Sequence, residues 1–299
     1  MKRFGWYRRL DAWRRRKGLR RLSPFETITM VVLIALSVFM LLPIVYIFNH
    51  AFKPYQELFI YPPTILVREP SFQNFLELLA TTKTTAIPVT RYLFNSVVVT
   101  VLAVFLITMT SAMCAYAISK HKFPGHKFIF GTILLTLVFV PETVEIPKYL
   151  VVSKLHIFDT YWGHVLPLVA VPTGVFLMKQ FIDQLPDELL DSARMDGARE
   201  LVLFTRIVIP MLMPAVATIG IIAFDSAWKN SETSTLYMQE EAMRTFPFYV
   251  ETLTSGMANS VARQGAAAAA ALLLFLPNLI MFLVFQSKVI ATMAHSGIK

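Results

Sequence analysis

Cysteine occurs once in 299 residues, at Cys114 inside an apolar run, so a disulfide within the chain is impossible and nothing marks a stapled scaffold of an oxidising compartment. Charge is scarce too. Asp, Glu, Lys and Arg make up 16% against 56% hydrophobic residues at a mean hydropathy of +0.57, which excludes a soluble domain and fits a multi-spanning membrane protein. The six histidines include no pair three or four apart, so a helical histidine metal site is not expected. A Gly-x-x-x-x-Gly-Lys-Ser/Thr phosphate loop is also missing, so ATP hydrolysis, and any cofactor, is not expected of this chain. Nor do a nucleophile, a base and an orienting group assemble from its motifs, which disfavours a membrane-embedded enzyme.

Long apolar runs are what the chain has in excess. The first 22 residues hold ten Lys or Arg against one Asp. The uncharged run 27–48 that follows is long enough for a hydrocarbon layer of roughly 30 Å, and it reads as a retained first span rather than a cleaved signal. The basic arm then lies against anionic lipid, and its charge requires no nucleic acid. Further spans are expected over 93–118, 128–140 with a continuation through Pro147, 161–178, 207–224 and 265–285, the fourth interrupted by Pro167 and Pro172. Segments 49–91 and 225–263 read as external, and Ser71 is placed to cap a short helix over 72–79. The alanine run 266–271 suits close helix approach.

The expected fold class is therefore all-α: a polytopic membrane protein with six transmembrane helices. It divides into a basic arm 1–26, a six-span domain 27–290 and a tail 291–299. Six spans leave both termini on one side. By count, 19 of the 28 Lys and Arg fall on the arm, the loops after spans two and four, and the tail, which marks that side as cytoplasmic.

The loop after the fourth span, PDELLDSARMDGARELVLFTRIVIP over 186–210, is dense in charge between apolar neighbours and reads as helix, hinge, helix. Pro186 suits a first helical turn, and Asp187 and Glu188 favour the positive end of the dipole. Gly197 ends that helix, and Asp196 is placed to cap whatever follows. Leu201, Val202 and Phe204 form an apolar stripe toward Pro210.

This run resembles the cytoplasmic loop of permease subunits of bacterial ATP-binding-cassette importers: Glu-Ala-Ala, three residues, Gly, nine residues, then Ile-x-Leu-Pro. Asp191, Ser192 and Ala193 stand at the first position, Gly197 follows after three residues, and Ile207-Val208-Ile209-Pro210 after nine more. The departures are Asp for Glu, Ser for Ala and Ile for Leu. The resemblance implies that Asp191, Ser192, Ala193, Asp196, Gly197, Ile207 and Pro210 form a cytoplasmic coupling helix between helices four and five, seated in a groove of an ATPase subunit. Asn95-Ser96, Ala115-Tyr116-Ala117, Phe123-Pro124-Gly125, the stretch 224–228 and Gly297-Ile298-Lys299 are similar to the maltose-type subgroup that imports sugars. By that resemblance the partners are a second homologous permease, two ATPase subunits carrying ATP and Mg, and an extracytoplasmic solute-binding protein. The location is the bacterial inner membrane, and the work is sugar or oligosaccharide import by alternating access.

Ionisable and amide groups near span ends are the candidates for a solute path, since such groups tend to face protein or a wet cavity. They are Asn95, Glu142 and Glu145, expected on one helix face, Asp225, Trp228 and Asn230 at the outer end of span five, and Asn278 after Pro277, where a broken helix would free carbonyls. Trp228 could stack on a sugar ring while acids and amides meet its hydroxyls. The plainer alternative puts the acids in headgroup water and bonds Asn278 to a neighbouring helix. A competing class is a proton-coupled secondary transporter using Glu142, Glu145 or Asp225, but neither internal repeats nor mid-span charge supports it.

Overall fold

The computed structural model describes residues 23–58, 60, 64, 66–80, 87–255 and 261–296. The basic run 1–22 and the closing Gly297-Ile298-Lys299 lie outside the described residues. Regular structure among those described is entirely helical.

Helix α1 is Pro24–Ala51 and starts on a reciprocal cap: Ser23 N–H donates to Glu26 Oε2 at 2.6 Å and Glu26 N–H to Ser23 Oγ at 3.1 Å. Its apolar side chains are exposed from Phe25 to Tyr46, so lipid or a neighbouring subunit must cover them, while Ile47 and Ala51 at its far end pack with Ala269 and Leu272. Helix α2, Gln73–Ala80, begins where Ser71 Oγ accepts from Gln73 N–H, as the sequence suggests. Helix α3, Val89–Lys120, is the longest unbroken helix of the interior: 32 residues, or about 48 Å.

Helices α4 (His126–Thr136) and α5 (Glu145–Leu155) are joined through a 3₁₀ turn at Pro141–Val144. This corrects the expectation of one span continuing past residue 140. Thr136 ends α4, because Pro141 cannot continue a helix from the preceding turn. Glu142 lies on the 3₁₀ turn and Glu145 is the first residue of α5, which follows that turn directly.

Helices α6 (Tyr161–Val169) and α7 (Pro172–Ile182) meet at 51°, the break falling just before Pro172, while Pro167 is carried inside α6. Two short helices, α8 (Asp187–Met195) and α9 (Glu200–Leu203), precede α10 (Met213–Trp228). The stretch Glu200–Met211 meets α10 at 81°, so the fifth membrane helix starts at Met213 and not near residue 207. Helices α11 (Glu232–Tyr237) and α12 (Phe246–Ser255) cap the end of the bundle near Asn95, and α13 is Val261–Ser296. Helix α13 passes through Pro277 without a break and runs beyond the expected end of the last span.

Among the described residues, three helices are long and apolar enough to cross a membrane, or up to five if each bent pair is one crossing. The core is α3 against α7 and α10, with Val99, Ala103 and Ile107 packed among Met178, Ile219 and Ala223. Small residues permit this approach: a Cβ added at Gly174 would lie 2.5 Å from Ser111 Oγ. The segment 126–155 leaves the Lys120 end of α3. The chain returns at Tyr161, whose hydroxyl donates to Asn95 Oδ1 at 2.9 Å, near the other end of α3.

Candidate functional site

The charged elbow 186–210 folds as two unequal helices around a glycine hinge. Pro186 is extended and sits at the cap position, so α8 starts one residue later, with Asp187 and Glu188 in its first turn. The helix ends at Met195 on a Schellman pair: Ala198 N–H donates to Ala193 O and Gly197 N–H to Arg194 O, both at 3.0 Å. Gly197 holds φ +82°, a conformation costly to any residue with a Cβ. Asp196 is the last half-turn of α8 and does not cap α9, whose cap position is Arg199 without a side-chain bond. The expectation that Asp196 starts the second helix is therefore corrected; Gly197 and Ala198 turn the chain away before its carboxylate can reach the next free N–H groups.

Downstream, Phe204–Val208 widens into a π-turn in which Ile209 N–H reaches Phe204 O. Pro210 has no N–H for a regular bond to Arg206 O and its ring would crowd that carbonyl; the wider turn relieves both. Ile207 lies within this turn and Pro210 just after it, ahead of the 81° bend at Leu212.

One side of α8 faces the protein and the other does not. Leu190 is 2% exposed and packs among Ile182, Phe204 and Val208, whereas Leu189, Leu201 and Met195, the last 89% exposed, point away. Asp191 is exposed and pairs with Arg194 at 2.8 Å; Ser192 Oγ donates to Glu188 O. The elbow is tied to α3 at two points. Lys120 Nζ donates to Leu185 O at 2.7 Å and Asp187 Oδ1 at 2.6 Å, and this ammonium holds the Asp187 carboxyl below its ordinary pKa. Farther along, Tyr116 Oη donates to Glu200 Oε2 at 2.8 Å, and Arg194 Nε to Glu200 Oε1 at 3.0 Å. Sequence patterns do not reveal Glu200 or Lys120, because their partners lie on another helix; only the Ala115-Tyr116-Ala117 resemblance pointed near this joint.

The solute-path candidates divide. Asn95 is fully buried, with Nδ2 donating to Ala242 O at 2.8 Å and Arg244 O at 2.9 Å, so it fastens a loop and faces no cavity. Trp228 is 5% exposed, stacked on Phe224, and its indole N–H donates to Leu274 O at 2.8 Å, so it offers no free ring face for a sugar. Asn230 lies just ahead of Ser231, the cap position of α11, and its Oδ1 accepts from Thr233 N–H and Thr233 Oγ1. Glu142 lies exposed and Glu145 half-buried. Asp225 and Asn278 do come together, lining a hollow of about 360 Å³ with Ser226, Phe224 and Phe282. The Asn278 Nδ2 is buried there without a partner, and Asp225 is paired with Lys229. A second hollow of about 460 Å³ between α3, α10 and α13 has a lining almost wholly apolar, around Phe105, Phe224 and Phe285.

No protein-family model matches the chain. It is 31% identical over 209 residues to the arabinooligosaccharides transport system permease protein AraQ of Bacillus subtilis, covering 70% of this chain and 73% of that one. It is 26% identical to the trehalose transport system permease protein SugB of Mycobacterium tuberculosis (69% and 76%), and 27% identical to the diacetylchitobiose uptake system permease protein NgcG of Streptomyces coelicolor (91% and 88%). Its fold matches a chain in the crystal structure of a bacterial ABC transporter involved in the import of the acidic polysaccharide alginate, with TM-score 0.78 at 21% identity over 88% of this chain and 95% of that one. The all-α membrane fold and the relatives agree: the chain belongs to the family of carbohydrate permease subunits of ATP-binding-cassette importers.

Proposed function

We propose that this subunit carries a sugar or oligosaccharide into the cytoplasm by alternating access, and that α8 is the lever by which two partner ATPase subunits, with their ATP and Mg, drive it. The observation that carries this reading is the elbow itself: a short helix buried at Leu190, with Leu189 and Met195 exposed on it and Leu201 exposed on α9. An apolar face left open beside Asp191 suits a groove on another protein better than water.

The reading counts six crossings, taking 126–155 as a third crossing built of short pieces, and places both termini and the elbow in the cytoplasm. It needs a second homologous permease, which would cover part of α1, and an extracytoplasmic solute-binding protein. Along the solute path, the Asp225–Asn278 hollow is favoured over the 460 Å³ one, because sugar hydroxyls need polar partners and the unpaired Asn278 amide supplies donors. A proton-coupled carrier is disfavoured by the relatives and by the ion pairing of Asp225 with Lys229.

Co-purification tests the lever. Leu189→Asp should abolish retention of the ATPase on the tagged permease pair while this chain still inserts. Undiminished retention in that variant, and in Met195→Asp, would overturn the lever.

A further inference from the structure

We propose that α3 is a connecting rod, clamped to the lever at its Lys120 end and to the external cap 240–246 at its Tyr92 end, so that the state of the ATPase is delivered to the outer face through this helix. The inference rests on α8 being the lever.

The inner clamp consists of Lys120, held to Leu185 O and Asp187, and Tyr116, held to Glu200, which in turn fixes Arg194 at the end of α8. The outer clamp is of the same kind. Tyr92 Oη donates to Glu241 Oε1 at 2.6 Å, the Asn95 amide donates to two carbonyls of the same loop, and Phe246 N–H donates to Ser96 Oγ at 2.7 Å. Tyr116 follows Tyr92 by 24 positions of uninterrupted helix, about 36 Å at 1.5 Å per residue.

The covalent route from lever to bundle is the softer one. It passes a glycine at positive φ, a π-turn and an 81° bend before α10 starts. Displacement of α8 is absorbed at those joints, whereas charge-assisted hydrogen bonds to a straight helix transmit it. Ser111 sits against Gly174 beside the fully buried Ala112, so α3 and α7 approach closely there and the rod is seated in the core along its length.

The test uses the assembled importer in nanodiscs, in a Cys114→Ser background, with a cysteine placed either at exposed Glu240 or at exposed Met195. Maleimide labelling of this chain is followed by mass with and without Mg-ATP and vanadate. With the rod intact, nucleotide trapping changes the Glu240→Cys labelling rate by about fivefold or more, the lower range of allosteric couplings. In Tyr116→Phe and in Glu200→Gln that response falls below about twofold, while Met195→Cys stays shielded by the ATPase and Thr110→Val, which removes a hydroxyl elsewhere on α3, responds like the parent. A parental response in both clamp variants, or a parent whose Glu240→Cys never responds, overturns the rod. Unshielded Met195→Cys in the parent overturns the lever instead, so the two failures are told apart.

Discussion

Asn74 shows how one small residue secures a joint. Its amide donates to Ala51 O at 3.0 Å and Lys53 O at 2.8 Å, tying α2 to the end of α1, and it can do so only because residue 265 is glycine: a Cβ there would lie 2.4 Å from Asn74 Oδ1. Gly265→Ala is therefore expected to cost about 1–3 kcal/mol, by unpairing buried groups. Gly131→Ala, where a Cβ meets nothing within 4 Å, should be neutral or gain about 0.5–1 kcal/mol. Thermal unfolding in detergent separates the two. At the other end of the molecule, Lys120 lowers the Asp187 pKa. A depressed carboxylate pKa means that the attachment is at full strength above the ordinary value near ~4 and is lost only as pH falls through the lower folded value. Amide protection factors at 191–195, whose N–H groups bond within α8, should hold from neutral pH to about 4 in the parent and drop below it; in Lys120→Met they should be low throughout.

Helices are the scale at which the elbow works. Gly197→Val places a β-branched residue at φ +82° and should cost about 1–2 kcal/mol locally, unravel the Ala193–Ala198 bond, and let ATP be hydrolysed with little transport. Normal coupling in that variant would remove the hinge from the mechanism. Leu190→Ala empties a buried position between α8 and the π-turn, with an expected loss of about 2–5 kcal/mol. Hydrogen exchange should localise it to 187–208. The helix, glycine and proline of this elbow were legible because propensity and spacing are local properties. The π-turn and the 81° bend were not, since they answer a conflict between Pro210 and packing that no short window contains. The third apolar run is one helix only as far as Thr136: hydropathy continues beyond it, but Val140 is extended ahead of Pro141.

For the molecule as a whole, orientation is the property that every functional statement requires. A cysteine at Lys122 should label from the cytoplasmic side alone and one at Gln239 from the outside alone, in a Cys114→Ser background; the reverse pattern would put the elbow out of reach of ATP.

Composition, the apolar runs and the spacing 191–210 determined by themselves that this is an all-α membrane subunit with a charged elbow. A bilayer imposes its demands residue by residue, and a docking helix carries its own hinge in its sequence. Only the tertiary structure decided which polar groups are fasteners and which are free. Asn95, Trp228 and Asn230 spend their hydrogen bonds inside the fold, while Asn278, which lines a hollow with Asp225, keeps its Nδ2 buried without a partner. That distinction depends on partners as far as 149 residues away in the chain, as for Asn95 and Arg244, and distance along a sequence carries no information about which carbonyl a side chain will meet.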